Sequence, residues 1–198
     1  LLIDHHGVEG TLHAAKHAQR LEIPVVADFE RLILGDDSAL NAHTVAKGRT
    51  PFQSRVGIKK SSSFEELLAT HVDHLIVDRP FAEAAAGGTQ NIKDLFASLW
   101  NAERKVVCIT LGSEGYCFQK TEIGANDEIR PGVIEHRPAF SVDAIDTTGC
   151  GDVFHGVYAA MLAEGRPLEK RLSTASASAA INATQHGGQA GIPDLAAI

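Results

Sequence analysis

The chain has 198 residues, 44% of them hydrophobic and 22% charged, which suits one globular domain with a core of its own. A net charge of −7, with no basic stripe, argues against a nucleic-acid protein, and no apolar run reaches the length of a membrane span. Cys108, Cys117 and Cys150 are an odd number without a framework spacing, so they read as reduced thiols of a cytoplasmic protein.

Leu1 to Asp4 reads as a short apolar strand, followed by the turn Asp4-His5-His6-Gly7. Leu12, Ala15, Ala18 and Leu21 then recur near helical spacing, and Ile23 to Asp28 is a second buried strand. Strand, helix and strand in this order imply a parallel pair with a right-handed crossover. The Asp4-His5-His6 turn and Asp28 fall at the C-terminal ends of strands, where open α/β sheets place ligands. His5 and His6 have no third ligand at metal spacing and read as loop residues. The chain opens on a core-like strand without Met, so an upstream part is expected to be missing.

Residues 35–63 break the alternation. They lack periodicity and collect Gly35, Gly48, Pro51 and Gly57, with Lys47, Arg49, Arg55, Lys59 and Lys60 among them. So long a structureless connection is unusual inside a compact α/β domain. A basic lid reaching for phosphate is one reading; a surface insertion is the expectation adopted. Phe64 to Thr70 is a short helix, and Asp73 to Asp78 the next strand. Pro80 suits the first turn of a helix that Gly87-Gly88 ends. Ile92 to Ala102 is amphipathic, with Trp100 in a packing role. Lys105 to Thr110 is a strand ending in Leu111-Gly112-Ser113-Glu114-Gly115, and Tyr116 to Lys120 and Ile129 to His136 read as antiparallel strands.

Phe140 to Ile145 alternates as a strand does, and Val153 to Glu164 carries apolar residues at helical spacing. Between them lies Asp146-Thr147-Thr148-Gly149-Cys150-Gly151-Asp152. Glycines around a small residue let backbone N–H groups converge at a helix N-terminus, where orphan donors and the macrodipole favour an anion. An Asp there competes with that anion, unless Asp152 handles a proton beside a phosphoryl group. The plain alternative is that Asp152 only caps the helix. After Gly165-Arg166-Pro167, Leu168 to Thr184 is a helix rich in Ala and Ser, and Gln185 to Pro193 a glycine-containing loop.

Asp146 to Asp152, with Gly156, resembles the C-terminal signature of the ribokinase-like (PfkB) carbohydrate kinases, although Cys150 stands where that family more often has Ala. The resemblance implies an α/β three-layer sandwich with a mostly parallel sheet, ribokinase-like, lacking the N-terminal strands and the β lid. It implies one domain over residues 1–198, with the insertion at 35–63. It implies an ATP-dependent kinase acting on a hydroxymethyl group of a sugar, with Asp152 as catalytic base and Gly149, Cys150 and Gly151 as the anion hole. The turn Thr110-x-Gly112-x-x-Gly115 matches the family's nucleotide-side loop, with Ala179, Asn182 and His186 on the adenine side. Asp146, Thr148, Asn182, Gln185, Gly187 and Gly191 are the positions for a monovalent cation such as K⁺, and Mg²⁺ accompanies ATP. The family's Asn-x-x-Glu motif falls here on Asp78 and Phe81, so its acid is absent; Asp78 or Glu83 are the candidate substitutes. A small-molecule sugar is the expected partner, nucleic acid and membrane are not, and a homodimer is the expectation for the complete protein. A nucleotide- or sugar-binding relative without turnover is the alternative function. A Rossmann dehydrogenase is disfavoured, because no Gly-x-Gly-x-x-Gly follows the first strand.

Overall fold

The computed structural model describes residues 1–30 and 62–194. Of the expected insertion, residues 35–61 lie outside the described residues; Ser62 and Ser63 open a helix. Two compact units account for the chain, one of Leu1, Ile3–Ile109 and Phe118–Ile134, the other of Leu2, Thr110–Cys117 and the residues from Glu135 onward.

The first unit alternates strand and helix. Its elements are β1 (Leu2–Asp4), α1 (Val8–Arg20), β2 (Val26–Phe29), α2 (Ser62–Thr70), β3 (His74–Asp78), α3 (Arg79–Ala85), α4 (Ile92–Leu99), β4 (Val106–Thr110), β5 (Tyr116–Ile123) and β6 (Ile129–Pro131). The strands lie in the order β1-β2-β3-β4-β5-β6. β2 and β3 run parallel, with Val26 opposite His74 and Phe29 opposite Val77, as a helical crossover requires. β5 and β6 are antiparallel, because the polar stretch between them is short enough to turn directly. Leu75 to Val77 and Val106 to Ile109 are all buried, the signature of central strands covered on both faces.

Aromatic rings fill the core. The Phe29 ring lies 5.1 Å from that of Phe64 and 6.3 Å from that of Phe81, and all three are buried. Burying each contributes roughly 1.5–3 kcal/mol relative to exposure. Local chemistry sets the helix ends. Asp78 caps α3 by accepting the Phe81 N–H at 2.8 Å, with Pro80 in the first turn. Asn91 caps α4. The Leu68 and Ala69 carbonyls at the end of α2 accept from Arg104 Nη2 and Asn101 Nδ2. Burial pushes the Arg104 guanidinium down to about 10, so it stays charged at neutral pH. Trp100 packs as expected, its indole N–H donating to Thr121 Oγ1 at 3.0 Å.

The second unit is built on two helices, α5 (Cys150–Ala163) and α6 (Leu168–Asn182), packed along each other. Ala175 and Ser178 are fully buried, so small side chains let the helices approach closely. Tyr116 meets Phe154 edge-on at 5.9 Å, and the Arg171 guanidinium stacks over Tyr158 at 5.1 Å. β7 (Glu135–Arg137) pairs with β5, whose first residues, Tyr116 and Cys117, belong to this unit.

The strand expected over Phe140 to Ile145 does not form. Phe140 is 52% and Ile145 57% exposed, and no described strand pairs with the segment. Alternation makes a strand only where a partner takes its backbone. Here the N–H groups of Ile145 and Asp146 go to the Ala183 carbonyl instead, at 2.7 and 3.1 Å.

Candidate active site

The stretch from Asp146 to Asp152 forms a turn that feeds α5. Gly149 is the N-cap and lies in the left-handed region at φ 74°; a Cβ there would sit 2.7 Å from the Gly188 oxygen and 2.8 Å from its Cα. Two separate causes therefore demand glycine: the φ angle, and the backbone of the loop after α6 pressing on this point. The Cys150 N–H donates to the Thr147 carbonyl at 3.2 Å, and the Val153 N–H returns to the Gly149 carbonyl at 2.9 Å. Gly151 and Asp152 occupy the next two helix positions, whose N–H groups a helix leaves without partners of its own. Both are exposed. Since Gly149 is the N-cap, Asp152 stands inside the first turn rather than at the cap.

Behind the turn, Asp146 ties two loops together. One carboxylate oxygen accepts the Thr148 N–H at 2.9 Å, the other the Gly187 N–H at 2.8 Å. The Gly187 and then the Thr148 N–H groups hold its carboxyl down to about 2. His186 is exposed and adds a smaller pull in the same direction. Asn182 is fully buried at the end of α6. Its Nδ2 donates to the Thr148 carbonyl at 3.1 Å and lies 3.7 Å from Cys150 Sγ, while its own carbonyl accepts the Gln185 N–H at 3.2 Å. The Cys150 thiol in turn donates to the Ala179 carbonyl at 3.3 Å. Gly191 folds back on Asn182: a Cβ on it would come within 2.6 Å of the Asn182 oxygen.

Asp146, Thr148, Asn182, Gln185, Gly187 and Gly191 are thus joined by a chain of direct contacts. Asp146 is the one carboxylate among them, and both its oxygens accept N–H groups, while the Thr148 and Asn182 carbonyls also accept; one carboxylate with neutral carbonyl oxygens would suit a hard cation of low charge. Among the described residues, no group of three His, Cys, Asp or Glu side chains could hold a metal ion. The Asn182 Oδ1 is buried without a hydrogen-bond partner among the described residues.

The Thr110–Gly115 turn is built on contacts of its own. Leu111 N–H donates to the Gly115 carbonyl at 2.8 Å around a short 3₁₀ turn at Gly112–Glu114. Gly115 has φ 94°, and a Cβ there would lie 2.1 Å from the Arg137 oxygen, so β7 accounts for this glycine without any ligand. His136 meets the Glu114 carbonyl at 2.8 Å. The substitutes for the missing acid are engaged locally in the first unit. Asp78 caps α3, Glu83 pairs with Arg79 Nε at 3.0 Å, and Phe81 is core. The His5 and His6 rings lie 4.2 Å apart at a tilt of 37°, and the backbone N–H of His6 donates to Asp4 Oδ1 within the turn.

Sequence reasoning missed Gly188 as the wall against Gly149, and the direction of the Asn182 side chain. A buried Asn at the end of an Ala- and Ser-rich helix is the signal that could have marked the second.

Residues 39–195 match the family model of the pfkB family carbohydrate kinases. A ribokinase of Bacillus subtilis (strain 168) is 41% identical over 56 residues, covering 28% of this chain and 19% of that protein. A ribokinase of Staphylococcus aureus (strain COL) is 25% identical over 181 residues, covering 89% of this chain and 52% of its own length. The crystal structure of ribokinase from Thermotoga maritima superimposes with a TM-score of 0.65 at 25% identity, covering 98% of this chain and 52% of that one. The chain therefore spans at most about half the length of these relatives. The fold class expected from the sequence, α/β with a mostly parallel sheet and ribokinase-like, is the one shared with that structure.

Proposed function

We propose, from the premise that this chain belongs to the pfkB family of carbohydrate kinases, that it transfers the terminal phosphoryl group of ATP to a hydroxymethyl oxygen of a sugar or sugar-like small molecule. The observation that carries this reading is the exposed Asp152 in the first turn of α5, beside N–H groups the helix leaves unpaired. A proton acceptor and an anion cradle at one helix end are what in-line transfer to an alcohol needs.

Asp152 takes the proton of the acceptor hydroxyl as its oxygen forms the new bond to phosphorus and the bond to the leaving ADP oxygen breaks. The N–H groups of Gly149, Gly151 and Asp152 stabilise the equatorial oxygens; Cys150, expected to be part of the anion hole, is left out of it, because its N–H donates to the Thr147 carbonyl and its thiol to the Ala179 carbonyl. Losing one such donor costs about 10²–10³ in kcat in well-studied oxyanion sites. Thr110, Gly112 and Gly115, with Ala179, Asn182 and His186, form the nucleotide side in this reading. Mg²⁺ would arrive with the triphosphate, where it would supply positive charge to the transferred group. Asp146, Thr148, Asn182, Gln185, Gly187 and Gly191 would hold a monovalent cation such as K⁺, which would supply positive charge to the loop that walls the cradle.

A second reading, binding without turnover, is favoured by one observation: the position of the family's acid is the buried Phe81. Asp152→Asn separates the two. Under the kinase reading kcat falls about 10²–10⁴-fold with ATP binding nearly intact. If Asp152 only favours the helix dipole, stability falls by about 1 kcal/mol or less and turnover stays the same. Steady-state kinetics, an ATP titration and a melting curve on that one variant decide.

A further inference from the structure

We infer that Asn182 is a positioning residue of the anion cradle, acting through the Thr148 carbonyl; this rests on the kinase reading above for its catalytic consequence. The peptide joining Thr148 to Gly149 is trans and planar, so its C=O and N–H point in opposite directions. Asn182 Nδ2 holds that carbonyl at 3.1 Å. The Gly149 N–H is therefore turned away from the helix pair, to the side on which an anion is held. Glycine makes this necessary. With no Cβ, Gly149 tolerates either orientation of the preceding peptide, so its own backbone does not fix the donor. The clamp chooses one of the two.

Three further observations place Asn182 in this role rather than in plain packing. Its side chain is fully buried, yet its Oδ1 has no partner among the described residues, an arrangement that costs stability. The same Nδ2 lies 3.7 Å from Cys150 Sγ, so the clamp touches both residues that flank Gly149. Gly191 packs on the Asn182 backbone and Gly188 on Gly149, so α6 and the loop after it brace the cradle from two points.

The chain carries its own reporter. Cys108 and Cys117 are buried, and Cys150 is partly exposed, so mild alkylation of the native protein reads the cradle itself. The test is Asn182→Leu, which keeps the branched shape and the number of heavy atoms and removes both the donor and the orphaned oxygen. Cys150 alkylation by iodoacetamide should rise by about threefold or more. Turnover should fall by about two- to tenfold, the value of one hydrogen bond. The melting temperature should hold or rise, a combination that a merely structural role does not give. Unchanged alkylation overturns the clamp. Faster alkylation with unchanged kcat overturns its role in catalysis. If the parent protein transfers no phosphoryl group, the kinase reading fails by itself, and alkylation alone still decides whether Asn182 holds the cradle. Should the leucine variant not fold, Asn182→Ser removes the same reach with a small side chain and is read in the same two assays.

Discussion

Two glycines two positions apart in the cradle are expected to respond to alanine in opposite ways. Gly149 lies at φ 74° with the Gly188 backbone against it, whereas Gly151 has an ordinary helical φ and open space where its Cβ would go. For Gly149→Ala, the left-handed conformation costs roughly 1–2 kcal/mol. The methyl also stands 2.7 Å from the Gly188 oxygen, where ordinary contact begins near 3.4 Å, so Gly188 must retreat. A retreat of roughly 0.7 Å by the loop would take the neighbouring Gly187 N–H to the edge of hydrogen-bonding range from Asp146, now 2.8 Å away. The variant should lose about 2 kcal/mol or more, and turnover with it. For Gly151→Ala, helix propensity predicts a gain of about 0.5–1 kcal/mol. Yet its methyl would intrude where the phosphate is proposed to sit, so kcat should fall by at least about tenfold. Denaturant melts and steady-state kinetics on both variants make the comparison. A Gly151→Ala protein that is more stable and fully active would refute the placement of the phosphate over this turn.

Asp146 should give the chain an acid-sensitive loop. Its folded carboxyl titrates near 2, below its ordinary 3.8, so its stabilising effect is fully present above about pH 4 and fades as pH falls towards 2. The stability gap between the parent and Asp146→Asn should therefore be constant from pH 7 to 5 and close towards pH 2; a gap that does not close would show that the carboxylate's charge is not what holds Gly187. The same site predicts that K⁺ raises activity more than Na⁺ at equal ionic strength, and equal rates in the two salts would remove the cation from the proposal. Ala179 is half-buried on α6, and Ala179→Trp should fill the adenine side and weaken ATP binding without unfolding the chain, as titration and circular dichroism would report.

Much of the first unit was legible because its signals are local. Apolar periodicity marked α1 and α4, Pro80 marked the first turn of α3, and apolar runs marked β3 and β4. Phe140 to Ile145 was misread for the opposite reason. Its alternation is local, but a strand needs a partner from elsewhere in the chain, and this segment spends its last N–H groups on Ala183. The cradle was legible as a motif, because Asp146 to Asp152 are consecutive in the chain and lead straight into a helix. Its bracing was not. The meeting of Gly149 with Gly188, and of Asn182 with Thr148, joins residues about forty and thirty-four positions apart, and no spacing rule encodes such contacts.

The glycines of this unit also show why a glycine pattern alone is a weak guide to function. Gly115 belongs to the turn that resembles a nucleotide loop, yet Arg137 of β7 fills the space where its side chain would be. That glycine would be required in a protein that bound nothing. Gly149 is required by a neighbouring loop and by its φ angle, which again needs no ligand. Gly151 alone among the three has neither a left-handed φ nor a neighbour within 4 Å, so folding gives no reason for it. A glycine inside a helix costs up to about 1 kcal/mol relative to alanine, and among the described residues no neighbour offsets that cost at Gly151, nor at Gly10 of α1 or Gly156 of α5. Under the kinase reading, Gly151 differs from those two in standing next to the exposed Asp152 at a helix N-terminus, where an approaching phosphate would need the space. Of Gly115, Gly149 and Gly151, the last is therefore the one whose alanine variant tests the proposed phosphate position most directly.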